Sequence, residues 1–300
     1  MDWILVALAS AFAFATVSIL DKIIFQRFIH RAATFIFLVG VVQIVMGLVI
    51  ALISPLHGYP LQVWGVAYLS GMLWGVSLAT MFWVMSYRDV SRVIPVVSSS
   101  PVFVAILAVV FLAERLTVLH WLAIAVTVLG TAIISQKCSE QKRVFSLDSS
   151  FFLLVLGSAT FALGIFLTKL VLKDMELWDL FILRNFGLGT TCLLLMTRPS
   201  VLRDALRVFR SPAATGIFLM TEGVLAFVGM ALVLWAIDLG PVSLVSTVMS
   251  TRPLIVLALS MLLSMKFWRL LDEPLDRKTL TNKLVSTAMI VAGIGAIALL

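Results

Sequence analysis

Residues 83–101, WVMSYRDVSRVIPVVSSSP, align without a gap with residues 235–253, WAIDLGPVSLVSTVMSTRP. Seven of the nineteen positions are identical. The identical pairs of most weight are Ser98 with Ser250 and Pro101 with Pro253. A shared proline in an apolar segment is a more specific match than a shared valine, because proline interrupts a helix. The alignment therefore indicates an internal duplication, and the fold follows from it.

The composition around these two segments is typical of a membrane protein. Of the 300 residues, 62% are hydrophobic and 12% are charged, and the mean hydropathy is +1.14. A soluble domain is only roughly 45–50% apolar. Because a helix needs about 20 apolar residues to cross a bilayer, the apolar runs predict ten spans. These spans cover residues 3–20, 32–53, 61–86, 93–113, 118–135, 151–168, 180–196, 213–237, 241–265 and 284–300.

A polar stretch divides the ten spans five and five. The sequence thus predicts an all-α integral membrane protein with a five-helix repeat in residues 1–135, a linker in residues 136–150 and a second five-helix repeat in residues 151–300. Because each repeat has an odd number of helices, the second copy enters the membrane from the opposite side, and the two repeats are inverted. Inverted repeats typically place a substrate site at their interface near the bilayer midplane.

The basic residues predict the orientation. Lys and Arg fall in the loops after odd-numbered spans, with the exceptions of Arg115, Lys169, Lys173, Arg184 and Arg252. By the positive-inside rule these loops are cytoplasmic, which places both termini outside. Counted in this way, the loop after the seventh span is cytoplasmic. We expect its residues 198–210, RPSVLRDALRVFR, to form an amphipathic connector.

Residues 98–134, SSSPVFVAILAVVFLAERLTVLHWLAIAVTVLGTAII, carry a second motif. A helix opened by serine and proline runs to the turn Ala113-Glu114-Arg115-Leu116-Thr117, and a helix with Trp121 early and Gly130 late follows. The pattern resembles the end of an EamA domain of the drug/metabolite transporter superfamily. The second half keeps Pro253, Gly293 and Gly295, but it inserts MKFWRLL before an acidic turn at Glu273 and has Arg252 where the first half has Ser100.

The resemblance implies a ten-helix secondary transporter of small metabolites, a multi-pass protein of the bacterial inner membrane. It covers nearly the whole chain as two five-helix domains. It also implies cytoplasmic termini, in conflict with the charge count. It does not identify the metabolite, because the superfamily's substrates run from amino acids and drugs to sugar phosphates.

Three charged residues lie inside predicted spans, where a charge without a partner or water costs at least about 2.5–3.5 kcal/mol. Arg252 and Glu222 lie deep in their helices, whereas Arg184 is near enough to a helix end to snorkel to the interface. In one interpretation Glu222 pairs with an arginine and pins the helices together. In the other, Arg252 binds a carboxylate or phosphate in a polar cavity, and Glu222 contacts a substrate amine or exchanges a proton. Two arginines against one glutamate favour an anionic or zwitterionic ligand.

Prolines supply a second reason to place the substrate site near Arg252. Pro95, Pro101 and Pro253 each free a carbonyl at membrane depth, which persists where hydroxyls or water can reach it. The hydroxyls available are those of Ser98, Ser99, Ser100, Ser250 and Thr251. The alternative is a structural kink that these side chains stabilise. Trp74, in mid-span, either packs or offers a face to an aromatic or quaternary-ammonium group.

Other function classes find little support. His30, His57 and His120 lack metal-ligand spacing, and no phosphate loop, nucleophile elbow or paired-carboxylate motif occurs, so we expect no enzyme, metal or cofactor. The net charge of +7 fits cytoplasmic loops better than nucleic-acid binding. The expected partners are a small-molecule substrate and the lipid bilayer, with the protein a monomer or homodimer. The alternatives to a transporter are a non-transporting membrane subunit with structural buried charges and a translocase for a lipid headgroup or lipid carrier.

Overall fold

The computed structural model describes residues 2–29, 31–54, 56–87, 93, 96–97, 99–135, 149–256, 258–259 and 277–299, and within them it contains helices and no strand. The helices of the first half are α1 Asp2–Arg27, α2 Ala32–Ile53, α3 Leu61–Met85, α4 Ser100–Phe111 and α5 Val118–Ser135. Those of the second half are α6 Ser149–Val171, α7 Leu177–Met196, α8 Pro199–Phe209, α9 Pro212–Phe218, the π-helical segment Leu219–Leu225, α10 Ala226–Leu239, α11 Val242–Met249 and α12 Arg277–Leu299.

Six of the described helical stretches are long and apolar enough to cross a membrane. They are Asp2–Phe25, Ala32–Ile53, Leu61–Met85, Ser149–Val171, Leu177–Met196 and Pro212–Leu239. Each coincides with a predicted span. The other four predicted spans contain shorter apolar helices, Ser100–Phe111, Val118–Ile133, Val242–Val256 and Val285–Ile297. The protein is therefore an all-helical, multi-pass membrane protein.

The loops gather at two ends of the helix bundle. At one end, the histidine end, lie residues 56–60, 112–117, 172–176 and 239–241. The Glu176 amide donates to Tyr59 Oη at 3.2 Å there, and Lys169 Nζ donates to the Gly240 carbonyl at 3.1 Å. At the other end, the arginine end, Arg31 forms an ion pair with Asp204 of α8 at 3.0 Å. The loops after predicted spans 2, 4, 6 and 8 thus share one end, as alternating crossings require.

Helices α3 and α7 cross backbone against backbone. A Cβ atom on Gly71 would lie 2.0 Å from the carbonyl oxygen of Arg184, and one on Gly187 would lie 2.1 Å from that of Tyr68. Real Cβ atoms do not approach other atoms so closely, so only glycine fits at either position. Small residues of this kind let membrane helices pack at short distance. The crossing joins the two halves of the chain and holds Arg184 at its centre.

The turn after α4 caps a helix of the other half. Ala113 adopts a φ of 54°, in the left-handed region, and this bend directs Glu114 toward the start of α11. Glu114 Oε1 accepts the Val242 amide at 2.7 Å, and its Oε2 accepts the Ser243 hydroxyl. A carboxylate at a helix N-terminus satisfies free amides and the positive end of the helix dipole. The motif that suggested the family resemblance therefore connects the two halves at the histidine end.

Candidate functional site

Both halves interrupt a helix at the predicted prolines. In the first half the Ser99 amide donates to Val96 at 3.1 Å, a turn follows, and α4 begins with Pro101 in its first turn. In the second half the Thr251 amide donates to Val248 at the same distance, 3.1 Å, before the helical residues 252–256. Pro101 and Pro253 thus each lie at the start of a helical segment, where the missing N–H costs little. Pro95 and Ser98 lie outside the described residues.

The hydroxyls near the breaks have different roles. Ser99 Oγ donates to the Val96 carbonyl at 2.6 Å, and Ser250 Oγ donates to the Thr247 carbonyl at 2.7 Å, so both stabilise their own turns. Ser100 is half-buried at the start of α4. Thr251 differs from them, because it is buried and its Oγ1 has no hydrogen-bond partner among the described residues. Of the predicted hydroxyls, Thr251 has the clearest unused capacity for a ligand.

Arg252 is held by α1. Its Nε donates to Ser18 Oγ at 2.8 Å, its Nη2 bonds the same oxygen, and its guanidinium carbon lies 5.5 Å from the centre of the Phe14 ring. The sequence suggested Glu222 as the direct partner of Arg252. In the described part of the chain Arg252 forms no ion pair, and its hydrogen-bond acceptor is Ser18. The guanidinium therefore keeps donors that are not engaged by a carboxylate.

Glu222 lies in the π-helical segment Leu219–Leu225 and faces a second acid, Asp21 of α1. Both residues are buried, at 7% and 9% exposure. The two carboxyl groups act on each other electrostatically and Arg252 acts on both, while Asp21 Oδ1 has no hydrogen-bond partner among the described residues. Two buried carboxyls so near each other repel when both are ionised. π-Helical turns occur frequently at functional sites, and this one places an acid within the bundle.

Arg184 is completely buried, at 0% exposure, so the prediction that it could snorkel to the interface is wrong. The close crossing of α3 and α7 encloses it. Its guanidinium carbon lies 4.0 Å from the centre of the Trp74 ring, a cation–π contact, and Trp74 itself packs edge-on against Phe161. Among the described residues Nε, Nη1 and Nη2 of Arg184 have no hydrogen-bond partner, nor does the side-chain amide of Asn185. A buried cation without an anion is costly unless something supplies the negative charge.

The structure thus gathers the predicted residues into two groups. The α1 cluster consists of Ser18, Asp21, Glu222 and Arg252. The α7 pair consists of Arg184 and Trp74. The sequence interpretation missed Ser18 and Asp21 as site residues. A signal existed, because Phe14, Ser18 and Asp21 are spaced by four and three residues, which places them on one face of α1.

A further polar group lies at the histidine end. His57 Nδ1 lies 2.9 Å from Asp179 Oδ2 and 3.9 Å from Glu176 Oε2, and Tyr59 Oη donates to Asp179 at 2.8 Å. The ligand atoms of His57, Glu176 and Asp179 lie within 4.8 Å of one another, close enough to hold a metal ion. His57 and Asp179 are already hydrogen-bonded to each other, however. These contacts therefore hold the α2–α3 loop against α7, and His57, Tyr59, Glu176 and Asp179 are called the latch below.

The latch predicts a pH-dependent stability. The hydrogen bond to Asp179 and the charges of Asp179 and Glu176 raise the pKa of His57 above 6.5. The folded protein therefore binds this proton more tightly than the unfolded chain, so the stabilisation is complete below pH 6.5 and is lost as pH rises through the raised pKa. We expect the melting temperature to fall over this range, and to fall less in His57→Gln. His120→Gln, a control whose ring bonds Thr117 at 2.7 Å, should keep the wild-type profile. Identical profiles for wild type and His57→Gln would contradict the latch.

Comparisons with known proteins agree with this architecture. Residues 1–136 match the EamA-like transporter family. A curated protein from Sinorhizobium sp., described as "Uncharacterized transporter in cobO 3'region", is 34% identical over 76 residues, which are 25% of this chain and 54% of the relative. The chain therefore matches about half the length of that relative. A solved crystal structure resembles the fold with a TM-score of 0.71 over 99% of this chain and 96% of its own, at 14% identity. The chain is thus a multi-pass membrane protein whose residues 1–136 are similar to the EamA-like transporter family.

Proposed function

We propose that the protein is a secondary transporter that moves a small zwitterionic or anionic metabolite, amino-acid-like or phosphorylated, across the bacterial inner membrane. The observation that carries the proposal is the α1 cluster, in which Arg252 lies beside two buried carboxyls and an interrupted helix. Charged groups inside membrane spans mark substrate or ion pathways more often than structural contacts. The family match supports transport as the general activity and argues against an enzyme.

Alternating access between two inverted five-helix repeats is the proposed mechanism. It is supported by the interruption of both halves at matching prolines, with the Ser99 and Thr251 amides bonded three residues back in the same way. The grouping of even-numbered loops at the histidine end gives further support, because it fits ten alternating crossings. Discontinuous helices near the interface of inverted repeats are the usual elements of a transport site.

The charges of the site favour a zwitterion. In the α1 cluster Arg252 faces two carboxyls, so the formal charges balance when one of the acids carries a proton. A guanidinium with free donors suits a substrate carboxylate or phosphate, which it binds through two parallel hydrogen bonds. The Asp21 and Glu222 carboxyls suit a substrate amine. Two adjacent carboxyls cannot both ionise cheaply, so the amine and a proton compete for the same pair. This competition couples substrate binding to proton release.

Transport by the reconstituted protein tests the proposal. A thermal-shift screen of the purified protein against amino acids, phosphorylated metabolites and quaternary amines identifies ligands, because a ligand that prefers the native state raises its stability. Counterflow of a positive ligand in proteoliposomes is then measured. Arg252→Gln should lower affinity by about tenfold or more, since it removes a charge-assisted contact.

Arg203→Gln, on the exposed side of α8, serves as the matched control and should transport normally. A protein that binds no compound and shows no counterflow would support the non-transporting subunit. Normal counterflow by Arg252→Gln would place the site elsewhere in a genuine transporter.

A further inference from the structure

A second polar site lies at the arginine end, away from the α1 cluster. A cavity of about 430 Å³ opens between the α1–α2 connection and the segment that joins α7 to α9. The lining residues that matter here are Arg27, Arg31, Thr34, Asp204, Arg207 and Ser211. The cavity thus joins residues from both halves of the chain and holds three guanidinium groups.

The charges in this cavity are unbalanced. Asp204 accepts from Arg31 Nη1 at 3.0 Å through Oδ2 and from Arg207 Nη1 at 3.4 Å through Oδ1, so one carboxylate serves two arginines. Each guanidinium has five N–H donors, and the Arg31 and Arg207 side chains remain largely exposed. The lining therefore has an excess of positive charge and donors in reach of a ligand.

A buried hydroxyl adds an observation independent of the charge. Thr34 lines the cavity, is buried, and its Oγ1 has no hydrogen-bond partner among the described residues. Ser211, across the cavity, accepts the Ala214 amide at 3.4 Å and keeps its own hydroxyl proton to donate. Guanidinium and hydroxyl donors that converge on one cavity suit the oxygens of a phosphate group.

Helix α8 indicates what kind of molecule carries the phosphate. It buries Val201, Ala205 and Val208 against the protein, as the predicted amphipathic connector should. It also exposes a second apolar row, Leu202, Leu206 and Phe209, at 41%, 58% and 44%. Each residue of this row is followed directly by an arginine, namely Arg203, Arg207 and Arg210. An apolar row beside basic residues, on a helix that joins two membrane spans, is typical of a helix lying in the headgroup region.

We infer that this cavity binds the headgroup phosphate of an anionic phospholipid. The phosphate oxygens accept from Arg31 and Arg207, and the acyl chains lie along Leu202, Leu206 and Phe209. A choline headgroup would place a cation against the excess positive charge, so an anionic lipid is preferred. The bound phosphate joins Arg31 of the first half to Arg207 of the second, adding to the Asp204 bridge. Lipid occupancy therefore strengthens the contact between the halves at this end.

Native mass spectrometry of the full-length protein tests the inference. The protein in detergent is titrated with dihexanoyl phosphatidylglycerol, dihexanoyl phosphatidylcholine and inorganic phosphate. We expect the first lipid to bind about tenfold more tightly than the second. The double variant Arg31→Gln/Arg207→Gln should lose this preference, whereas Arg203→Gln/Arg210→Gln, with the same change of charge at the same end of the protein, should keep it.

Each other outcome overturns the inference. Equal binding of the two lipids would mean that the apolar row alone holds them. An equal loss of the preference for phosphatidylglycerol in both double variants would mean that general surface charge, and not the cavity, attracts the lipid. Displacement of phosphatidylglycerol by an equal concentration of inorganic phosphate would assign the cavity to a free phosphate. The comparison of the two lipids on the wild-type protein remains decisive even where a variant fails to fold.

Discussion

Replacing Arg184 with methionine should stabilise the empty protein and abolish its transport. Among the described residues the buried guanidinium has no anionic partner, which costs at least about 2.5–3.5 kcal/mol within a span, and the contact with the Trp74 ring offsets about 2 kcal/mol of this. A methionine of similar length fills the space without the charge, so we expect a net gain of about 1 kcal/mol. Substrate affinity should fall about 100-fold, because a desolvated charge partner is removed. Thermal unfolding and ligand binding measure the two effects.

A rise in stability together with a loss of substrate affinity distinguishes a binding role of Arg184 from a structural one. If Arg184 only pins helices together, Arg184→Met lowers the melting temperature and leaves the affinity of the remaining folded protein intact. Arg252→Met is the informative comparison, because it leaves Asp21 and Glu222 without their nearby cation and should destabilise the protein. A stabilised Arg184→Met protein that still transports would remove Arg184 from the site.

Replacing Glu222 with glutamine should uncouple transport from protons. The Asp21 and Glu222 carboxyls act on each other electrostatically, and an amide at position 222 cannot carry the exchangeable proton. We expect accumulation driven by a pH gradient to fall about tenfold or more, while exchange of substrate for substrate continues. The flux of the variant should also lose its dependence on pH. Uptake with and without an imposed gradient in proteoliposomes measures both.

Asp21→Asn should give the same phenotype, because the proton belongs to the pair and not to either residue. The double variant should then be no worse than either single variant, which is the non-additivity expected of residues that act together. Glu176→Gln at the exposed histidine end provides a matched control and should stay coupled. Full coupling in Glu222→Gln would exclude the pair as the proton carrier.

Much of the fold could be predicted from the sequence, because the length of the apolar runs decides where helices cross the membrane. Apolar runs longer than a bilayer is thick must form helices, and all six long spans coincide with predicted ones. The proline breaks also followed from the sequence, since proline removes a donor wherever it stands. The π-helical segment Leu219–Leu225 could not be foreseen, because the widened turn is set by packing around it and leaves no mark in composition.

The candidate site was harder to predict, because charges were judged by depth along a single helix. Arg252 and Glu222 were recognised in that way, but their neighbours Ser18 and Asp21 were missed, because the predicted span of residues 3–20 ends beside them. The prediction for Arg184 failed for a related reason. Its distance from the helix end suggested access to the interface, whereas the glycines of the neighbouring α3 allow that helix to cover it. Such contacts between helices are decided by pairs of residues far apart in the chain.

The crossing of α3 and α7 has a mechanical consequence. The close contact is repeated one turn further along both helices, where a Cβ atom on Gly75 would lie 3.0 Å from the carbonyl oxygen of Leu188. A change in crossing angle or a slide along either axis would therefore drive one backbone into the other. In the proposed alternating access, α3 of the first half and α7 of the second would thus move as one body. Arg184 would keep its surroundings inside this body, whereas Arg252 follows a helix break.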